Sequence, residues 1–185
     1  MKKWMREILS TFLYIIGVLL LTWFVISYIG QRTVVSGASM EPTLLHQDNL
    51  IVDKISYRLH DPKRFDVIVF PFQYGSEVYY IKRIIGMPGE TIRIDEAGTI
   101  YITKPGETKE TVLEDPYGKE LIKPELLGLA RDGVTLGVDE YFCMGDNRNN
   151  STDSRKDVVG NIKRENIIGK AWIRIWPLNT FGLIK

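Results

Sequence analysis

Two residues have types and settings that could do acyl-transfer chemistry together, a serine in a glycine-bearing turn and a lysine in an apolar strand. Ser39 stands in SGASMEPTL (36–44), after Gly37-Ala38 and before Met40, with Pro42 stiffening the turn that follows. Glycine permits close backbone approach and proline fixes φ, so the hydroxyl can be presented on a loop. Lys82 stands in VYYIKRIIG (78–86), where strand alternation puts Tyr80, Lys82 and Ile84 on one face and Ile81, Arg83 and Ile85 on the other. Burial disfavours an ammonium, so a lysine ordinarily at about 10.4 can fall by several units and become a usable base for a hydroxyl. Each signal also has an ordinary reading: a serine before a turn, and a strand lysine whose head snorkels to water.

Other chemistries find less support. His46 in LLHQDNL and His60 in RLHDPK flank turn-like segments, and neither has the setting of a catalytic triad. The single cysteine, Cys143, sits in the apolar run YFCM and reads as a buried, inert thiol that cannot form an intrachain disulfide. Two histidines far from one cysteine are too few for a zinc cluster, so no metal and no cofactor is expected. With 24 Lys+Arg against 23 Asp+Glu, no basic field recruits nucleic acid and no acidic excess argues for disorder.

The elements that must position these residues begin with an apolar segment. No charge occurs between Ile8 and Gln31, whereas Lys2, Lys3 and Arg6 precede it. About 20 apolar residues cover a hydrocarbon core of roughly 30 Å, which predicts a retained transmembrane anchor over 8–29 rather than a cleaved signal. The positive-inside rule keeps 1–7 cytoplasmic and sends 30–185 outside as one catalytic domain, with Trp4, Trp23 and Tyr28 as interface anchors.

Beyond the anchor, strand signals recur at 49–54, 65–70, 78–85, 91–94, 99–103, 140–144 and 168–175, with breakers at Asp61-Pro62, Pro71, Pro88-Gly89 and Gly145-Asp146. No long capped helix can be written, so the fold class is mostly β: a single N-terminal transmembrane helix followed by an antiparallel β domain. Residues 104–137 turn polar and read as a small inserted excursion, with only PELLGLA (124–130) hinting at a helical turn. Near the C-terminus, Trp172, Arg174 and Trp176 alternate against Ala171, Ile173 and Ile175. This is either an aromatic-basic face for lipid headgroups or a core strand with a covered outer face.

Taken together, the anchor, SGASMEPTL, NLIVDK (49–54), YYIKRIIGMPGE (79–90) and GDNRNNSTDSR (145–155) resemble, in order and spacing, the boxes of the bacterial type I signal peptidases. The resemblance spans nearly the whole chain outside 104–137. It implies a serine endopeptidase in which Ser39 attacks the scissile carbonyl and Lys82 is general base, then general acid. It also implies that Ser151 hydrogen-bonds and orients the lysine amine. Asp146, Asp153 and Arg155 would hold that loop against the lysine strand, with Arg83 likewise structural.

The implied substrates are signal peptides of exported preproteins with small residues at the first and third positions before the cut. They would bind as an added strand along the edges 31–37 and 79–82, touching Val35, Gly37, Met40, Tyr80 and Ile81. The implied setting is the cell membrane, with the lipid bilayer as a partner, the secretion translocon nearby and no role for nucleic acid. In fully extended reach Ser39 lies within roughly 35 Å of the anchor, which suits a substrate still tethered in the bilayer.

One departure concerns the oxyanion hole. Some members carry a serine two positions before the nucleophile, but here that position is Gly37, so backbone donors, Ser39 N–H with help from Gly37, must suffice. Alternatives are an inactive membrane-anchored scaffold of the export pathway, a self-cleaving SOS-repressor-like Ser-Lys protease, and a calcium-binding role for the 145–155 loop.

Overall fold

A run of Leu, Ile, Val and Phe with good helix formers at its start makes the first element, α1 (Lys3–Phe24). In this computed structural model, residues 3–26, 30–72 and 78–185 are described. Helix α1 has 22 residues, none of them buried, and is long and apolar enough to cross a membrane. At 1.5 Å per residue it measures about 33 Å. The predicted span of 8–29 starts inside this helix; its last three residues, Tyr28 among them, lie outside the described residues, as does Lys2. Trp4 and Trp23 stand near the two ends of α1.

The rest is mostly antiparallel sheet. Strands β1 (Gly30–Val34), β2 (Asn49–Asp53), β3 (Val67–Pro71) and β4 (Tyr79–Gly86) lie in the main sheet, with the single-turn helix α2 (Ser56–Leu59) between β2 and β3. Strands β5 (Thr91–Ile94), β6 (Ile100–Thr103), β7 (Thr111–Val112) and β8 (Val134–Thr135) follow. The chain then returns through β9 (Glu140–Met144), β10 (Ile162–Lys163), β11 (Gly169–Trp176) and β12 (Gly182–Leu183). The main sheet runs β1-β2-β11-β3-β4-β9-β10 with β12 on β11, and a smaller sheet runs β7-β6-β5-β8.

The strands expected at 91–94 and 99–103 therefore belong to a second sheet. The polar segment 104–137 supplies two of that sheet's strands, and 3-10 turns at Pro124–Leu126 and Gly128–Arg131 lie where PELLGLA hinted at one. Its few apolar residues are well spent: Ile122, Leu127, Ala130 and Leu136 are buried with Ile85, Ile92 and Phe142. Strand β1 lacked a sequence signal of its own, because GQRTV is polar and its exposed edge needs no apolar alternation.

Strand β4 is the positioning element. Ile84 packs with Ile68, Phe70 and Cys143, and Tyr80 joins that cluster; Ile81 packs against Val35, Met40 and Leu44; Ile85 enters the core between the sheets. Burying Ile84 and Ile85 stabilises the fold by about 1.5–3 kcal/mol each, so the register of β4 is strongly held. Strand β3 pairs β4 from Tyr79 to Arg83, whereas β9 joins only from Arg83 onward. Tyr79–Lys82 thus has one edge without a strand partner among the described residues.

The β11 alternation is interrupted by register shifts between Ala171 and Ile173 and between Arg174 and Trp176. Trp172 and Trp176 stay exposed, but the Arg174 guanidinium turns to Asp48 (2.6 Å) and to the Thr180 carbonyl (2.9 Å). The face is therefore aromatic without the basic head that the headgroup reading needs, since bulges rotate residues out of the simple two-residue period.

Candidate active site

The segment after β1 is a short, tightly tied loop. Val35 N–H donates to the Asp48 carbonyl and Gln47 N–H returns to the Val35 carbonyl, while Met40 and Leu44 are buried as its apolar roots. Gly37 takes φ +96°, a left-handed conformation that a side chain would strain. Ser39 lies at the turn, and its carbonyl accepts from Asn147 N–H at 3.1 Å while the Asn147 side-chain amide donates to the Ala38 carbonyl at 3.1 Å. The 145–155 loop therefore grips the serine turn from the side.

Lys82 reaches the same point from β4. Its Nζ lies 2.8 Å from Ser39 Oγ, 2.9 Å from the Ile81 carbonyl oxygen and 4.9 Å from the centre of the Tyr80 ring. The residue is only 4 % exposed. Burial pushes the amine down to about 8, against the weaker opposing fields of Asp153, Cys143 and Asp146. At that value a useful fraction of the amine is neutral near pH 7–8, and its nitrogen lies within hydrogen-bond reach of the serine hydroxyl.

Two buried arginine–carboxylate pairs fix the surroundings. Arg83, the next residue on β4, donates from Nε and Nη2 to the two oxygens of Asp146 at 2.8 and 2.7 Å, with both side chains fully buried. It also bonds the Phe65 carbonyl and lies 3.5 Å above the centre of the Tyr117 ring, which the 104–137 segment contributes. Asp146 further accepts from Thr43 Oγ1 at 2.6 Å, tying β4, the serine turn and the far loop together.

Arg155 donates from Nε and Nη2 to the two oxygens of Asp153, both at 2.8 Å. Burial alone would raise the Asp153 carboxyl, but the Arg155 bonds and charge outweigh it and hold Asp153 below the usual range. Both carboxylates of this loop that could serve a calcium ion are thus committed to arginines.

Ser151 departs from expectation. Its Oγ is buried and makes no hydrogen bond to Lys82, whose amine is turned toward Ser39 and its own strand's carbonyl. The hydroxyl lies near enough to Asp153 to favour that carboxylate. Gly37 also differs: its N–H donates to His46 Nδ1 at 3.2 Å, so it does not point at an oxyanion. Ser39 N–H makes no hydrogen bond among the described residues and stays available as a donor.

A cleft of about 530 Å³ opens over Ser39 and Lys82. Val35, Gly37, Met40, Tyr80, Ile81 and Ser151 all contribute to its lining. Asp146, Asp153, Arg155 and Arg83 do not; they lie behind it as buried pairs. Sequence reasoning missed Asn147 and Thr43, which sat inside recognised boxes but have no chemical signature. It also missed Leu126, whose PELLGLA segment hinted at a helical turn but not at the cleft, and Lys156, just past the last recognised box.

The family model described as signal peptidase, peptidase S26, matches residues 5–176. A probable signal peptidase I-2 of Synechocystis sp. is 34 % identical over 166 residues, covering 85 % of this chain and 68 % of that protein. Signal peptidase I of Bacillus caldolyticus is 36 % identical over 162 residues, covering 84 % of each, and signal peptidase I T of Bacillus subtilis is 32 % identical over 175 residues, covering 92 % and 86 %.

Proposed function

The chain belongs to the signal peptidase family, peptidase S26, a family of serine endopeptidases that remove signal peptides, and on that footing we propose that Ser39 and Lys82 form its catalytic dyad. The observation that carries this reading is the 2.8 Å contact between a buried, pKa-lowered lysine amine and a serine hydroxyl in an open cleft.

In the proposed reaction, neutral Lys82 takes the proton of Ser39 Oγ as that oxygen adds to the scissile carbonyl. Ser39 N–H donates to the developing oxyanion, where a fixed donor in a partly desolvated site is worth most. As the C–N bond breaks, the lysine proton passes to the leaving amine, leaving an acyl ester on Ser39 and a neutral amine on Lys82. The same amine then takes a proton from water, whose oxygen attacks the ester; as the bond from the acyl carbon to Ser39 Oγ breaks, Lys82 returns that proton to Oγ, and the signal peptide leaves as an acid that ionises in solvent. The open edge of Tyr79–Lys82 and the 33–37 segment supply backbone partners for an extended peptide, with Val35, Met40, Tyr80 and Ile81 shaping room for small side chains. Ser151 would hold the amine only after a small rotation, and Arg83, Asp146, Asp153 and Arg155 act as supports.

The proposal extends to placement: 1–7 cytoplasmic, 8–29 spanning the cell membrane, and 30–185 outside, near the translocon that delivers preproteins. Helix α1 supports it, as does the exposed cluster of Trp172, Trp176, Leu178, Phe181 and Leu183 beside β11 and β12, which suits a bilayer surface. The test is cleavage of a preprotein bearing an Ala-X-Ala site by detergent-solubilised wild type, Ser39→Ala and Lys82→Ala. Cleavage by wild type alone supports the dyad, and turnover surviving Lys82→Ala overturns it.

A further inference from the structure

A peptide held along β4 upstream of the cut must leave the cleft on the other side of Ser39. Apart from β4 and the 33–40 segment, the cleft is lined by Asn149–Thr152, Lys156 and, out of the 104–137 segment, Leu126. An extended chain advances about 3.3 Å per residue, so the first two residues beyond the scissile carbonyl fall within about 7 Å of Ser39. With β4 and the 33–40 segment taken up by the residues before the cut, this second wall is the part of the lining left for their side chains.

Leu126 is held there by the loop that grips the serine turn. Its carbonyl accepts from Arg155 Nη1 at 3.3 Å, and the Arg155 carbonyl accepts from Leu129 N–H at 2.8 Å. Gly128 permits this docking: it takes φ +53°, and any Cβ there would run into the Arg155 carbonyl. Buried Leu127 and Ala130 root the same turns in the core between the sheets. Arg155 thus couples the 124–131 turns to Asp153, and through Gly145 N–H, which donates to Asp153, to the catalytic loop.

Lys156 completes the wall. It is exposed, donates to Thr152 Oγ1 at 3.3 Å and forms no ion pair among the described residues. With Leu126 it lines both the main cleft and a small adjoining pocket of about 70 Å³. Glu125 borders only the smaller pocket, so the charge presented to the main cleft is positive.

Resting on the proposed function, we infer that Leu126 and Lys156 form the subsite for the first residues after the cut, and that Lys156 favours acidic side chains there. The 104–137 segment then selects on the mature side of the substrate. Opposite charges in a partly desolvated cleft attract and like charges repel, which discriminates between substrates differing only at those positions.

The experiment uses the full chain in detergent and peptides identical up to the cut, carrying Glu or Lys at the second position beyond it. The ratio of kcat/KM values for the two peptides is internal to each enzyme and does not depend on its folded fraction. Changing Lys156→Glu should lower the Glu-to-Lys ratio by about tenfold, with Lys156→Met in between. An unchanged ratio in Lys156→Glu, with wild type cleaving both peptides, overturns the subsite and leaves the dyad standing. Failure of wild type to cleave either peptide overturns the proposed function, and the subsite with it.

Discussion

Lys82 Nζ and Ser39 Oγ meet at 2.8 Å although their residues arrive on elements far apart in sequence, and the amine's other partner is the neutral carbonyl of Ile81. Among the described residues no carboxylate bonds the amine directly. Burial therefore dominates its titration and leaves it at about 8. In the free enzyme kcat/KM should rise with pH as Lys82 deprotonates and level off above about 8. Two units below that midpoint the rate should be about a hundredfold lower. A pH–rate profile with a short peptide substrate checks this, and a flat profile between pH 6 and 8 would contradict it.

The same burial makes Lys82 a cost to the fold. Its folded value of about 8 lies below the ordinary 10.5, so the unfolded chain binds the extra proton between these limits and stability rises with pH across that window. Replacing Lys82→Met should therefore stabilise the protein by roughly 1–3 kcal/mol below pH 8. The gain should shrink as pH climbs toward 10.5. Denaturant unfolding at pH 6.5 and pH 9.5 measures both, alongside complete loss of activity.

Arg83 and Asp146 behave oppositely. The pair is fully buried and bidentate, so Asp146→Ala strands a guanidinium and removes an acceptor from Thr43. A destabilisation of about 3–5 kcal/mol is expected, read as a fall in unfolding midpoint. The double change Arg83→Met with Asp146→Leu should recover much of it, because no charge is then left unpaired.

Gly145 packs tightly between the serine turn and Ser151. A Cβ there would overlap the Ser39 carbonyl and Ser151 Oγ, so Gly145→Ala must displace the serine turn or the loop. Activity should fall by about a hundredfold, since a shift near 1 Å spoils the attack geometry. The unfolding midpoint should change far less than in Asp146→Ala.

Cys143 should be chemically silent. It is fully buried in β9, and burial pushes its thiol well above the ordinary range. Native protein treated with an alkylating reagent should keep full activity and an unmodified thiol by mass spectrometry, with labelling appearing only in denaturant.

Much of this protein was legible in its sequence because two short-range periodicities carry it. The charge-free run after Glu7 demands a helix long enough for a bilayer, and alternation in VYYIKRIIG assigns Tyr80 and Ile84 to one face and Ile81 and Ile85 to the other, which the fold splits between two packed clusters. Side-chain period and turn residues are local properties, so a mostly antiparallel fold follows from them. What pairs with what is not local. That β5 and β6 leave the main sheet, that bulges turn Arg174 inward, and that Tyr117 and Leu126 bring a polar segment back to Arg83 and the cleft were decided by tertiary packing. The same holds for the site. Residue types suggested a serine and a lysine, but the depressed amine, the unbonded Ser151 hydroxyl and the diversion of Gly37 N–H to His46 depend on burial and on which groups come within 3 Å. Only the folded chain sets those.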